Sequence, residues 1–428
     1  MVEEHLSPAQ KLACGIHAVP GVSTSLAATQ GAYRFLNNPR VRLTTLSKPL
    51  LEAAQQSVPA ACEQYVLAVH DWSLLKYRRH HAKKDRLPHK TGSWKEGYEL
   101  HTCLLVGDRG GDPLAPVALS LHAADGVHCS RSAHVRPALS VLDELDPAMT
   151  FVEEQQLGKP VVHIVDAEAD SVAHFRLWSS RSQRWYLVRA DDRLVEYDGQ
   201  EQRCSHIQQK CRENRTFRHA RQVLYHGQTA EQWVAEVDVR LLRPGQQNRA
   251  DGSRARVPGA PLPLRLVISE VRSAAGEVLA TWFLLTNVLA NVNSSTIALW
   301  YYWRWHVESY FKLLKSAGMD LEQWGQETAD AIARRLLVAS MACVLVWQLG
   351  ASDHPSAPAA REFLVQLSGR QMKRGKGAKP YTYPALLSGL WMLLSMLHIL
   401  EQYDRDQLQQ IAELVLPAIR AGPASEDV

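Results

Sequence analysis

Apolar residues fall in short blocks along the first half of the chain, and this pattern predicts strands and helices in a definite order. Apolar, β-branched blocks at residues 64–71, 98–107 and 113–122 predict three consecutive strands that short loops can join as an antiparallel meander. Two further strands are predicted at residues 159–166 and 184–190, each preceded by a helical pattern. Strands joined through helices are usually parallel, so the predicted order is three strands, helix, strand, helix, strand.

This order matches an α/β fold with a ribonuclease-H-like core. Four more alternating blocks after the core predict a β-rich insertion of consecutive antiparallel strands. We therefore divide the chain into a helical N-terminal region (1–60), a first core part (61–195), the insertion (196–287), a second core part (288–350) and a helical C-terminal region (351–428).

Two apolar runs, at residues 336–351 and 385–400, raise the question of a membrane. Each falls short of the roughly 20 residues that a spanning helix needs, so we expect buried helices and no membrane. The chain opens with charged residues rather than a signal peptide, and its seven cysteines show no disulfide spacing. These features predict a reduced, cytoplasmic protein. The net charge of +4 permits a polyanionic partner without requiring one.

The segment YYWRWHVESYFKLLK, residues 301–315, places charges in an otherwise aromatic helix. At about 100° per residue, the polar side chains fall in one narrow stripe beside a broad apolar face. The stripe contains Tyr301, Arg304, Glu308, Lys312 and Lys315. Taken alone, the stripe fits either an exposed Arg304–Glu308 salt bridge or a functional surface.

Two aspartates upstream favour the functional interpretation. Asp71 and Asp166 each end a predicted strand, and those two strands lie side by side in a ribonuclease-H-like core. A helix across that end would add Glu308. Three carboxylates stay ionised together when cations hold them, and hard oxygen ligands select Mg²⁺ or Mn²⁺. Glu168 and Asp170 are alternatives to Asp166 as the second ligand; we favour Asp166 because Asp170 looks like the cap of the next helix.

Two divalent ions about 4 Å apart would support phosphoryl transfer on a nucleic acid. Arg304 and Lys315 then suit phosphate contacts, and Tyr301 suits a hydrogen bond to phosphate or support of the glutamate. Lys312 shares the stripe and is a further candidate for DNA contact. Trp282 has two interpretations, a core side chain or a stacking platform for an extruded base.

A basic segment, residues 76–90, follows the first aspartate. It holds seven Lys and Arg residues against one Asp, and near a phosphoryl-transfer centre DNA contact is favoured over a solvated loop. The predicted contacts are Arg78, Arg79, Lys83 and Lys84. A second basic patch is predicted at Lys373, Arg374 and Lys376.

The spacing of Tyr301, Arg304, Glu308 and Lys315 resembles the YREK signature of bacterial IS-four-type transposases, the group that includes the Tn-five transposase. VDAEAD, HDWSLLKY and TQGAYRFLNNPRV resemble the segments around that family's second and first catalytic aspartates and its N-terminal region. The resemblance implies a DDE transposase in which Asp71, Asp166 and Glu308 bind two Mg²⁺ ions, with Mn²⁺ able to substitute.

The resemblance also implies partners and a course of reaction. Such enzymes cut double-stranded DNA at transposon terminal inverted repeats, typically through a hairpin intermediate, and join the ends to target DNA as a homodimer. We expect a bacterial cytoplasmic protein that associates with the nucleoid. Because only a short polar stretch precedes GAYRF, we expect the basic N-terminal helix of many relatives to be missing or much reduced here. The alternatives are an N-terminally shortened DNA-binding or dimerising derivative that no longer transposes, and a metal-dependent nuclease without strand transfer.

Overall fold

The computed structural model describes residues 25–77, 80–88, 96–248, 254–315, 319–369 and 380–420. The chain divides into two compact units. The larger unit comprises Pro39–Lys312 and Gly325–Trp347, and the smaller unit takes in the described parts of the remaining chain. The larger unit is a mixed α/β structure built on a 13-stranded sheet, and it contains every residue of the proposed carboxylate cluster.

The strands of the described residues all belong to the larger unit. In chain order they are β1 Val66–Leu75, β2 Leu87–Pro88, β3 Glu96–Gly107, β4 Pro113–Ala123, β5 Gly126–Cys129, β6 Val161–Val165, β7 Trp185–Ala190, β8 Leu194–Tyr197, β9 Gln200–Arg203, β10 Arg218–Tyr225, β11 Gln228–Leu241, β12 Gly245–Asn248, β13 Arg254–Val257, β14 Leu262–Arg272 and β15 Val278–Thr286.

The described residues also form helices. They are α1 Ser25–Leu36, α2 Leu43–Leu46, α3 Lys48–Ala61, α4 Leu145–Glu153, α5 Val172–Ser179, α6 Cys204–Glu213, α7 Ser294–Trp303, α8 Trp305–Lys315, α9 Ala329–Ala351, α10 Ala357–Leu367, α11 Tyr383–Gln402 and α12 Arg405–Arg420. Short 3₁₀ turns occupy Ala167–Ala169 and Leu321–Gln323.

The core of the sheet has the predicted topology. β1 pairs antiparallel with β3, which pairs antiparallel with β4, and this confirms the meander. β6 pairs parallel with β1 on one side and with β7 on the other. β4 is buried along its whole length, as an apolar strand covered on both faces should be, and helices α3 and α4 pack against it.

The predicted insertion strands are confirmed as β10, β11, β14 and β15, all antiparallel. The alternation of apolar residues did not show where they attach. β15 pairs antiparallel with β7, so these four strands extend the core sheet, whereas β12 and β13 form a separate two-stranded sheet. α6 lies within the insertion and was not predicted; its buried Cys204, Ile207 and Cys211 join the hydrophobic core on that part of the sheet.

The prediction of one continuous helix over residues 301–315 is wrong. α7 ends at Trp303 and α8 begins at Trp305, so the two helices meet at Arg304. There the Arg304 amide donates to the Tyr301 carbonyl and the Val307 amide donates to the Arg304 carbonyl, both at 3.1 Å. These bonds span three residues instead of four, so the backbone is wound more tightly at Arg304 than a uniform helical wheel assumes.

The two long apolar runs behave differently. The first lies in α9, where Leu336, Leu337, Cys343 and Trp347 are buried as predicted. The second lies in α11, which is long and apolar enough to cross a membrane by length and composition alone, a test that core helices of soluble proteins also pass. The prediction that this run is buried is wrong for its second half. Its exposed apolar residues are Met392, Met396, Leu397, Ile399 and Leu400.

Gly111, in the turn between β3 and β4, lies against Trp303 at the end of α7. Its φ is +74°, and a Cβ at this position would overlap the indole ring of Trp303. We predict that Gly111→Ala lowers the free energy of unfolding by about 2–3 kcal/mol, because backbone strain and overpacking each cost about 1–3 kcal/mol. Urea denaturation would measure the loss.

Gly276→Ala is the matched control for this prediction. Gly276 has a similar φ of +83°, but a Cβ there would meet nothing within 4 Å. It should cost only the strain of the left-handed backbone, about 1 kcal/mol. Equal losses in the two variants would show that the contact with Trp303 contributes nothing.

Candidate active site

Asp71 and Asp166 lie where the parallel pairing of β1 and β6 ends. The last partners in that pairing are His70 and Val165, so the two aspartates are the next residue on each strand. The prediction that Asp71 ends its strand is wrong. β1 continues to Leu75 because β3 still pairs with it beyond that point, whereas β6 stops. The Asp71 carboxylate accepts a hydrogen bond from the Trp72 amide at 2.8 Å.

Arg304 brings three carboxylates together. Its Nη1 lies 3.1 Å from Asp71 Oδ2, and its Nη2 lies 3.1 Å from Asp166 Oδ2 and 3.0 Å from Glu308 Oε1. We call Asp71, Asp166 and Glu308 the carboxylate triad. Arg304 is 4% exposed, whereas the Glu308 side chain is 39% exposed, so the triad opens to solvent on the glutamate side.

Asp166 is held by three further donors. Its Oδ1 accepts hydrogen bonds from the Tyr301 hydroxyl at 3.0 Å and the Ala167 amide at 2.7 Å, and Arg189 Nε lies 2.7 Å away. The sequence pattern did not predict a role for Arg189. Val188 is the partner of Val165 in the parallel register, so Arg189 is level with Asp166, and only the folded sheet shows this register.

Charge and burial suit the triad to bind a cation. Three ionised carboxylates against Arg304 and Arg189 leave one net negative charge. Burial raises the pKa of Asp71 to about 6; Arg304 opposes this rise, and the charges of Asp166 and Glu308 add to it. Positive charge is therefore needed to keep the triad ionised, and the triad already shares one guanidinium. Oxygen donors of this kind fit Mg²⁺ or Mn²⁺.

A second acidic group could also hold a metal ion by distance. Asp85, Asp125 and His128 bring three potential ligand atoms within 4.8 Å of one another. The Asp85 oxygens accept hydrogen bonds from the Tyr98 hydroxyl at 2.5 Å and the Ala329 amide at 2.7 Å. His128 Nε2 lies 3.0 Å from Asp125 Oδ1. This cluster includes an imidazole nitrogen, whereas the carboxylate triad offers only oxygen ligands, which Mg²⁺ and Mn²⁺ prefer, so the triad is the better candidate for phosphoryl transfer.

Within DAEAD, Asp166 is the carboxylate that contacts Arg304. Asp170 instead pairs with Arg193 and accepts a hydrogen bond from the Asp191 amide at 3.0 Å. The prediction that Asp170 caps the following helix is wrong, because Ser171 occupies the N-cap of α5. Glu168 is exposed on the short 3₁₀ turn that follows Asp166.

The other predicted DNA contacts are scattered. Lys312 is exposed, and Lys315 Nζ lies 3.6 Å from Glu322 in the smaller unit. Lys84 is exposed, with Nζ 3.7 Å from Glu327. Lys83 turns inward: it donates to the Gln326 carbonyl, and burial lowers its pKa to about 8. Arg78 and Arg79 lie outside the described residues, as do Lys373, Arg374 and Lys376.

Trp282 lies beside the triad's supporting tyrosine. Its ring centroid is 5.6 Å from that of Tyr301, and it is 9% exposed on β15. This burial fits the core interpretation, and the position next to Tyr301 fits the stacking interpretation only if the indole turns outward.

A row of buried histidines crosses the sheet on the face opposite Asp71. His70 on β1 lies within hydrogen-bonding distance of His101 on β3 (3.3 Å) and of His163 on β6 (3.0 Å). His163 Nε2 lies 3.2 Å from Glu153 on α4. Burial lowers the pKa of all three imidazoles, so the row is neutral and links the strands of the triad to the helix beneath them.

Comparisons with known proteins give one strong match. The family described as "Transposase DDE domain" matches residues 63–345, well over half of the chain and a range that includes the whole triad. No curated protein matches the chain. Among solved structures, the chain is similar to a piggyBac transposase synaptic complex with hairpin DNA, at 10% identity and a TM-score of 0.33. The match covers 82% of this chain but only 57% of the other.

Proposed function

This chain belongs to the transposase DDE domain family, and from that premise we propose that it catalyses DNA transposition by metal-dependent phosphoryl transfer. The observation that supports the proposal most directly is the convergence of Asp71, Asp166 and Glu308 on one guanidinium. Carboxylate oxygens from the ends of two neighbouring strands' pairing and from a helix thereby surround one guanidinium, with the glutamate open to solvent.

We further propose a ribonuclease-H-like core of the IS-four type. The sheet order β4-β3-β1-β6-β7, with only β6 and β7 parallel to β1, supports the core assignment. The YREK spacing supports the type, because Tyr301, Arg304 and Glu308 all take part in the contacts around the triad.

Two Mg²⁺ or Mn²⁺ ions would supply activation of the attacking oxygen and stabilisation of the leaving oxygen. The chain's own contribution is positioning. Tyr301 and Arg189 both hold Asp166 at its Oδ1, and the Trp72 amide holds Asp71. Glu308, the most exposed of the three carboxylates, faces the side from which DNA would approach.

The proposed partner is double-stranded DNA with terminal inverted repeats, cut through a hairpin and joined to target DNA. Exposed Lys84 and Lys312 on the larger unit are proposed phosphate contacts. We propose a homodimer in the DNA complex, and the exposed apolar residues of α11 support an association with another surface. A cytoplasmic, nucleoid-associated location is part of the proposal; the described cysteines are free thiols, as expected there.

One assay tests the proposal. The wild-type protein is incubated with Mn²⁺ and a supercoiled plasmid carrying the inverted repeats that flank its gene, beside Asp166→Ala and a reaction in EDTA. Joined products from the wild type alone are expected. Nicks without joining would identify a nuclease, and binding without cleavage would identify a DNA-binding derivative. Identical products from wild type and Asp166→Ala would contradict the role of the triad.

A further inference from the structure

Arg304 occupies an unusual place for a residue expected to contact phosphate. Each carboxylate of the triad gives it one oxygen: Asp71 Oδ2, Asp166 Oδ2 and Glu308 Oε1, all within 3.1 Å of its terminal nitrogens. Arg304 therefore binds one oxygen of every carboxylate that would hold the metal ions. The guanidinium and the divalent cations would compete for the same oxygens.

The net charge of the triad determines whether Arg304 stays bound to it once metal ions enter. With Arg304 and Arg189 in place, the triad carries one net negative charge. Two divalent ions would add four positive charges and make the cluster strongly positive, so the guanidinium would be repelled at close range. A DNA phosphate at the open side of the triad would attract it instead.

The local structure offers the guanidinium a second position. The guanidinium carbon, Cζ, lies 5.6 Å from the ring centre of Tyr301, which is buried. It also lies 5.5 Å from the ring centre of Trp305, which is 50% exposed. Moving toward Trp305 would keep a cation–π contact while bringing the charge to the surface. Arg304 also lies at the junction of α7 and α8, where the backbone already departs from regular α-helix.

We propose that Arg304 is an exchangeable counter-cation: it holds the triad together, yields its three oxygens to divalent ions, and then binds a DNA phosphate. This inference rests on the proposed metal site. The exchange makes metal binding and DNA binding mutually favourable. The metal ions displace Arg304 from the carboxylates, and a DNA phosphate stabilises the displaced guanidinium. A fixed structural ion pair would instead stay in place and favour neither.

An Arg304 that competes with metal and an Arg304 that is only structural predict opposite changes in Mn²⁺ affinity for Arg304→Gln. If Arg304 competes with metal, its removal tightens Mn²⁺ binding by about tenfold or more, the effect of one nearby unit charge in a partly buried site. If Arg304 only shapes the triad, its removal lets the carboxylates separate and weakens Mn²⁺ binding. Arg304→Lys keeps the charge and should stay near the wild-type affinity.

Calorimetric titration with Mn²⁺, without DNA, measures these affinities. Arg243→Gln is the matched control, because Arg243 pairs with Glu201 in the insertion and its loss changes net charge equally. The expected order of affinity is Arg304→Gln above wild type, Arg304→Lys and Arg243→Gln. Unchanged or weaker binding by Arg304→Gln overturns the inference. Asp166→Asn tests the metal site independently of the exchange by Arg304. If this variant binds Mn²⁺ as tightly as the wild type, the proposed metal site itself is wrong.

Fluorescence anisotropy with duplex DNA tests the second half of the exchange. In the wild type, Ca²⁺ in place of EDTA should tighten DNA binding several-fold beyond its effect on Arg304→Gln. Circular dichroism confirms that each variant is folded before its affinity is compared. Equal enhancement by Ca²⁺ in both proteins would show that Arg304 does not couple the two ligands.

Discussion

Asp71→Asn, Asp166→Asn and Glu308→Gln should each lower the rate of DNA cleavage by about three orders of magnitude or more. Each change removes one negative charge and one strong oxygen ligand from the triad while keeping the shape of the side chain. Metal-assisted stabilisation of phosphoryl transfer supplies several kcal/mol, and about 4 kcal/mol corresponds to three orders of magnitude. DNA binding in EDTA should not be weakened, because it depends on basic residues.

Two further variants make this result specific. Glu168→Gln is the same type of substitution two residues beyond Asp166, on an exposed side chain, and should leave the rate near that of the wild type. Tyr301→Phe removes only the hydroxyl that donates to Asp166 Oδ1, so a loss of roughly tenfold is expected for one positioning hydrogen bond. A loss in Glu168→Gln as large as that in Asp166→Asn would mean that the second ligand in DAEAD was assigned to the wrong carboxylate.

The carboxylate triad was predictable because its members depend on strand order. Alternation of apolar residues located β1 and β6, and the order of strands and helices placed them side by side. The end of β1 was not predictable from one strand alone. Asp71 interrupts an apolar run, yet β3 continues to pair with the residues beyond it.

A helical wheel could not predict the orientation of Arg304. The wheel gives a direction around one axis, so it could group Tyr301, Arg304 and Glu308 but not say what each one faces. It predicted phosphate contact for Arg304, whereas the structure places the guanidinium among the carboxylates. The tight turn at Arg304 and the contact of Arg189 with Asp166 depend on tertiary packing and strand register, which no single periodicity contains.

Arg184→Met should lower the free energy of unfolding by about 2–3 kcal/mol, since it would remove the hydrogen bonds of a buried guanidinium to two partly exposed carboxylates. Arg184 is 1% exposed. It donates to both oxygens of Glu153 at 2.8 Å, to Asp146 at 2.5 Å and to Thr150 at 2.8 Å. These bonds tie α4 to the start of β7, on the side of the sheet where the histidine row ends.

Urea denaturation at pH 7 measures this loss, and Arg181→Met is the matched control. Arg181 also contacts Asp146, at 2.9 Å, but its side chain is 46% exposed, so its removal should cost no more than about 1 kcal/mol. Equal losses would show that burial of Arg184 adds nothing to the strength of its ion pairs.

The cost of Arg184→Met should also depend on pH. Burial alone would raise the pKa of Glu153, but the hydrogen bond with His163 and the bonds with Arg184 outweigh it and lower this pKa from 4.5 to about 2. A lowered pKa stabilises the folded state above the unfolded value and loses that contribution as pH falls through the folded value. The difference between wild type and Arg184→Met should therefore be full at pH 7 and shrink between about pH 5 and pH 2. A difference that stays constant over this range would place the cost in lost packing of the arginine side chain and not in the charge of Glu153.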